Sequence, residues 1–261
     1  MEVISFGSRN DKPPLLFVHG SYCGAWIWAP YFLPAFEQAG WWGAAISLRG
    51  HGKSEGLERL DSFGVDAYLE DIAQGVGLFD RLPVLIGHSL GGYLIQKFAL
   101  DYPVRGLVLL SSPSLLGLQG SGRHIATHSP ALALQLASLM AWGPSCADTK
   151  AIASALFQDR DMAKRMIPLL PPLQRESSRV AFEASWPDFR KPKFPVPTLA
   201  LGGDADAFVP EFECRYEGQF WEGESKILRN VPHGLMLDSC WPDVLREIFG
   251  WLSAQFKPKN P

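Results

Sequence analysis

Gly87-His88-Ser89-Leu90-Gly91-Gly92 decides how this chain is read. The run follows the apolar stretch Val84-Leu85-Ile86 and opens a segment with helical spacing, Ser89 to Asp101. A strand that turns sharply into a helix forces the residue at the bend into a strained backbone. Glycines two positions to either side keep neighbouring backbone from colliding with it. The bend lifts the Ser89 hydroxyl above the carboxyl edge of a sheet. The helix start beneath it leaves N–H groups without intrahelical acceptors, at the positive end of the dipole. One of these, the N–H of Leu90, stands where an oxyanion forms.

Working outward, five further stretches read as strands: Leu15 to Val18, Gly43 to Leu48, Gly106 to Leu110, Thr198 to Leu201 and Lys226 to Leu228. Most are continuous apolar runs, which suits strands buried on both faces of a mostly parallel sheet. Helical patterns alternate with them, over about 28–39, 66–80, 89–101 and 241–255. The expected fold class is α/β, a doubly wound and mostly parallel sheet with right-handed crossovers.

One stretch breaks the alternation. Between about Ser114 and Pro195 there are helical patterns (131–140, 149–157, 175–184) and no convincing strand. The expected organisation is a core formed by 1–113 and 196–261, with 114–195 as an inserted helical module. Residues 257–261 read as a frayed end.

A serine hydroxyl is a weak nucleophile at neutral pH and needs a base. His233, in Val231-Pro232-His233-Gly234, sits in a loop between the last strand and the last helix, which opens at the same sheet edge as Ser89. His19 reads as a structural hydrogen-bonding group at a strand end. A base needs an orienting carboxylate. Asp204 and Asp206 both follow the strand at 198–201. Asp206 is preferred, and Asp204 is the fallback. The catalytic candidates are therefore Ser89, Asp206 and His233. Acyl transfer also needs a second oxyanion donor. His19-Gly20-Ser21 follows the first strong strand, so the amides of Ser21 and Leu90 are the expected pair.

Bulk properties exclude other classes. The formal net charge is -3 and basic residues are scattered, which makes nucleic acid a poor partner. Cys23, Cys146, Cys214 and Cys240 lack zinc-site spacing and read as free thiols in a reducing compartment. No metal or organic cofactor is expected. No signal peptide and no apolar run of membrane-spanning length is visible, so a cytoplasmic location is the default expectation. Nothing in the sequence fixes an oligomeric state.

Four ordered segments resemble the α/β-hydrolase superfamily: His19-Gly20-Ser21, Arg49-Gly50-His51-Gly52-Lys53-Ser54, Gly87 to Gly92, and Gly203-Asp204-Ala205-Asp206 with the following Pro210. The loop carrying His233 completes the set. An aspartate followed four positions later by proline is usually the catalytic one in this superfamily, which supports Asp206. The resemblance implies an α/β-hydrolase fold and a carboxylesterase-like serine hydrolase that acts on small to medium apolar acyl substrates. It places the insertion as a cap over the site. The stretch from His19 to Trp28 is similar to methyl esterases and hydroxynitrile lyases. Tyr22, His88, Met140, Trp142 and Trp186 are candidate substrate contacts, with Phe157 and Leu169 further candidates to line the pocket. Serine rather than aspartate at the bend argues against haloalkane dehalogenase and epoxide hydrolase chemistry. The rival readings are a C–C bond hydrolase, a hydroxynitrile lyase using a cap cation (Lys150, Lys164 or Arg175), and a non-catalytic ligand-binding member of the fold.

Overall fold

The computed structural model describes residues 1–256. The segment 257–261, expected to fray, lies outside the described residues. Seven strands form one sheet in the order β1-β3-β2-β4-β5-β6-β7. Their ranges are β1 Glu2–Phe6, β2 Leu15–Val18, β3 Gly43–Ser47, β4 Val84–His88, β5 Gly106–Leu110, β6 Thr198–Gly203 and β7 Glu224–Leu228. Every neighbouring pair is parallel except β1 with β3.

Alternate residues of each buried strand feed opposite layers, as the two-residue period requires. Leu15, Phe17, Val84 and Ile86 pack under α1 (Phe32–Gln38) and α10 (Trp241–Gln255). Leu16, Val18 and Leu85 pack under α2 (Val65–Val76), α3 (Leu90–Asp101) and the α9 side (Glu211–Phe220). Each large apolar side chain withdrawn from water in these layers contributes about 1.5–3 kcal/mol.

Between β5 and β6 the chain forms α4 (Gln119–His128), α5 (Pro130–Trp142), α6 (Thr149–Ser154), α7 (Arg160–Met166) and α8 (Ser178–Glu183), with no strand. Three of these helices start at side-chain caps. Asp148 accepts from the Ala151 N–H, Asp159 from Met162, and Ser177 from Val180. Such caps satisfy amides that the helix itself leaves free. Leu132, Leu139, Ile152 and Leu173 make a small core inside this helical stretch.

The structure differs from the sequence reading in several elements. The helix expected over 28–39 is a short 3-10 turn, Ala25–Trp28, then α1, with the helical path broken at Tyr31 (φ -133, ψ -45). The helix expected over 175–184 begins only at Ser178, where Ser177 caps it. β1, α4, α7 and α9 were not anticipated.

The strand order places β2 beside β4, where the winding of the sheet reverses direction. Val18 stands in register with Gly87. The loops leaving these two strands therefore diverge at their carboxyl ends, and a crevice opens between them.

Candidate active site

Ser89 occupies the bend between β4 and α3 with φ 51 and ψ -126, a left-handed region that costs a non-glycine residue about 1–3 kcal/mol. Its surroundings hold it there. The Ser89 N–H donates to the Leu110 oxygen at 3.0 Å. A Cβ at Gly91 would lie 2.3 Å from the His19 oxygen, and one at Gly87 would lie 2.6 Å from the Gly91 oxygen. A Cβ at Gly20 would lie 2.9 Å from the Ser89 Cβ. Glycine at these positions is thus a condition of the bend. Leu90 is the first residue of α3, so its N–H has no acceptor within the helix.

His233 lies in the loop after β7 and is buried, and its Nδ1 meets Asp206 Oδ2 at 3.0 Å. Phe208 stacks on the imidazole with ring centroids 4.5 Å apart. The other oxygen of Asp206, Oδ1, accepts from the amides of Phe208 (2.8 Å) and Val209 (2.9 Å). Burial pushes this carboxyl up. The His233 ring and the two amides outweigh burial and hold the carboxyl below its ordinary range. Asp204, the other candidate, is exposed and accepts from the Asn230 N–H at 2.6 Å as a turn residue.

His88 is buried, and its Nε2–H donates to the carbonyl of His233 at 2.9 Å. Burial and the neighbouring His233 lower its pKa to about 3, so it stays neutral. His19 behaves as the sequence suggested. Its Nε2 accepts from the Leu48 N–H at 3.0 Å, and burial likewise lowers its pKa to about 3.

Ser89, His233, Ser21 and Leu90 all face one cavity of about 510 Å³. That size suits a small organic molecule. Its walls are apolar, with Ile27, Leu136, Ile152, Leu156 and Phe208 prominent. Among the described residues, no Asp, Glu, Lys or Arg lines it.

Of the five substrate-contact candidates, Tyr22, His88 and Met140 line this cavity. Trp142 and Trp186 do not; they are 70% and 55% exposed. Trp142 ends α5 just before the turn at Gly143, and Trp186 follows α8, its ring edge on to Phe182. Leu169 is also exposed, and Phe157 lines no part of the cavity. The apolar composition of α5 leaves its cavity-facing side unmarked in the sequence, so nothing there separates Met140, which lines the cavity, from Trp142, which does not. The cations considered for lyase chemistry are elsewhere. Lys150 is exposed, Lys164 pairs with Asp161, and Arg175 pairs with Asp61. The sequence reading missed Cys23, Ile27, Leu173 and Phe208 as lining residues, and no local motif marks them.

Comparison with known proteins adds four findings. Residues 15–247 match the sequence model described as "Alpha/beta hydrolase family". Among curated relatives, bifunctional epoxide hydrolase 2 of Sus scrofa is 29% identical over 115 residues, 42% of this chain but only 20% of that protein. A 2-hydroxy-6-oxononadienedioate/2-hydroxy-6-oxononatrienedioate hydrolase of Paraburkholderia phymatum is 27% identical over 223 residues, covering 76% of this chain and 73% of the other. Among solved structures, a monoacylglycerol lipase of Paleococcus ferrophilus superposes with TM-score 0.69 at 22% identity, covering 97% of this chain and 98% of that one.

No helix among the described residues is long and apolar enough to cross a membrane.

Proposed function

The chain belongs to the alpha/beta hydrolase family, and from that premise we propose that it cleaves carboxylic esters of small to medium, uncharged, apolar substrates through an acyl-enzyme on Ser89. One observation carries the reading. The buried Asp206–His233 pair, joined at 3.0 Å, opens onto the same cavity as a serine held in a strained bend. Asp206 occupies Nδ1 of the imidazole, so Nε2 is the nitrogen left to take a proton.

In the proposed cycle Ser89 Oγ attacks the ester carbonyl and its proton passes to His233 Nε2. Asp206 offsets the charge that develops on the ring. The amides of Ser21 and Leu90 receive the oxyanion, each worth about 3 kcal/mol of barrier by analogy with single-donor deletions. His233 then protonates the departing alcohol. A water molecule, deprotonated by the same nitrogen, releases the acid. The helices α4–α8 act as a cap that keeps bulk water from the acyl-enzyme.

The relatives suggest two other chemistries, and residues of this chain weigh against both. Epoxide opening in this superfamily proceeds through an aspartate, and the bend here carries Ser89. The Paraburkholderia protein is named for dioate substrates, whereas among the described residues no Lys or Arg lines this cavity to pair with a carboxylate.

The test is a panel of p-nitrophenyl esters, lactones and vinylogous 1,5-diketones assayed with the wild-type protein and with Ser89→Ala. Ester turnover that Ser89→Ala abolishes supports the reading. Turnover confined to the diketones would replace it with C–C bond hydrolysis. A cyanohydrin that releases cyanide would replace it with lyase chemistry. Tight ligand binding with no turnover of any substrate would mark a non-catalytic member.

A further inference from the structure

Two hollows in this molecule share a single wall. The cavity at Ser89 lies on one side. On the other is an outer groove of about 760 Å³, bordered by Ile4, Trp26, Ala29, Leu57 and Pro171, with Glu2, Lys53 and Arg175 also on its border. Leu173 lines both, and among the described residues it alone does so. Its side chain is buried, at 8% exposure, against Leu132, Leu139 and Ile152.

The strand of chain that carries Leu173 is not a loose loop. Pro171 and Pro172 restrict its backbone on one side. On the other side the Gln174 N–H donates to the Tyr22 carbonyl at 3.1 Å, and Gln174 Oε1 accepts from the Gly52 N–H at 2.7 Å. Arg175 pairs with Asp61 at 2.7 Å. Glu176, buried, accepts from the Tyr68 hydroxyl at 2.8 Å and faces His51 at 3.4 Å. These ties reach four separate places in the sheet-bearing part of the chain: Tyr22, His51-Gly52, Asp61 and Tyr68. A ligand that presses on Leu173 therefore meets a side chain whose backbone cannot easily retreat.

We propose that Leu173 is a specificity-determining residue: its side chain closes the Ser89 cavity against the outer groove and so sets the length of apolar chain the site accepts. This rests on the reading of that cavity as the substrate site. A chain that stops short of Leu173 is covered by apolar side chains along its whole length. A longer chain has to displace the leucine or fold back. Trimming Leu173 joins the cavity to the groove, where Ile4, Trp26 and Leu57 offer the extra methylenes further apolar cover.

The experiment measures dissociation constants for methyl esters from butanoate to hexadecanoate. The proteins all carry Ser89→Ala, so that nothing turns over. With Leu173 present, affinity rises by about fourfold per methylene buried and then levels off at a defined length. Leu173→Ala moves the break to longer chains, and the milder Leu173→Val moves it less in the same direction. Adding Ala29→Trp, which fills the groove at an exposed position, returns the break of Leu173→Ala toward its original length. An unchanged break in both trimmed variants overturns the proposal. So does a shift that Ala29→Trp leaves intact, which would mean mere enlargement of the cavity. The same esters are offered to the proteins that retain Ser89. Absence of turnover there overturns the esterase reading, while the position of the binding break still decides the role of Leu173. Absence of binding by any ester overturns both.

Discussion

The ring N–H of His88 at Nε2 donates to the main-chain oxygen of His233 across 2.9 Å. The residue preceding the bend serine thus holds the loop that carries His233, which lines the same cavity as Ser89. His88→Phe keeps an aromatic ring, somewhat larger than imidazole, and removes the donor. A buried acceptor left without a partner costs about 1–3 kcal/mol. The expected result is a lower melting temperature together with a reduced kcat, with KM little affected. A variant with unaltered kcat would mean that the loop is held by its other contacts, such as Gly234 N–H to Leu156 oxygen at 2.8 Å.

Asp206 and Asp204 lie two positions apart and make opposite predictions. Asp206 binds the imidazole, whereas Asp204 only braces the turn at Asn230. Asp206→Asn is expected to lower kcat by about ten-thousandfold, as loss of the orienting carboxylate does elsewhere. Asp204→Asn is expected to keep kcat near wild type. Steady-state rates on one p-nitrophenyl ester check both.

Two buried acids on α9 predict a pH dependence of stability. Burial pushes the Glu217 carboxyl well above its usual range, and the charge of Glu213 adds to the effect. Glu217 accepts from Gln96 Nε2 at 2.8 Å, and its second oxygen has no protein partner. A carboxyl with a raised folded-state pKa contributes its full stability below the unfolded value near 4.3 and loses it as pH rises through the folded value. Glu217→Gln, an amide of the same shape, is therefore expected to melt higher than wild type at pH 8, by about 2–4 °C for each kcal/mol recovered. The difference should shrink towards pH 4. A lower melting temperature at alkaline pH would contradict this.

The buried His51–Glu176 pair has a different pH profile. Burial opposes charge on both groups, but each favours the other's ionised form, so His51 is raised and Glu176 lowered. The histidine contribution is complete below about 6.5 and is lost as pH rises through its folded value. The glutamate contribution is complete above about 4.3 and is lost as pH falls through its folded value. Glu176→Gln is expected to cost about 3 kcal/mol between those limits, and less at either extreme. Urea unfolding at pH 4, 5.5 and 9 measures it.

The sequence exposed what is chemically narrow. Continuous apolar runs such as Val84-Leu85-Ile86 and Leu107-Val108-Leu109 admit little besides buried strands. The glycines around Ser89 admit little besides a tight bend. β1 was missed because Glu2-Val3-Ile4-Ser5 alternates weakly, as an edge strand does, and Val3 is exposed. α9 was missed because its inward face carries Glu213 and Glu217 beside Cys214 and Gly218, with no run of large apolar residues to mark it. Pro210, four positions after Asp206, favours that aspartate over Asp204 in the sequence, but the contact with His233 and the exposure of Asp204 are matters of backbone direction that residue type does not announce. The bond between His88 and His233 joins residues 145 positions apart, so no local pattern announces it. Leu173 is one leucine in a proline-rich stretch until the two hollows on either side of it are seen.

The most direct measurement is intact-mass and peptide mass spectrometry after incubation with a fluorophosphonate, which reacts with an activated serine. One adduct on the peptide containing Ser89 is predicted, formed more slowly in His233→Ala and absent in Ser89→Ala. A folded wild-type protein that takes up no adduct, or takes it up equally after Ser89→Ala, would contradict the account.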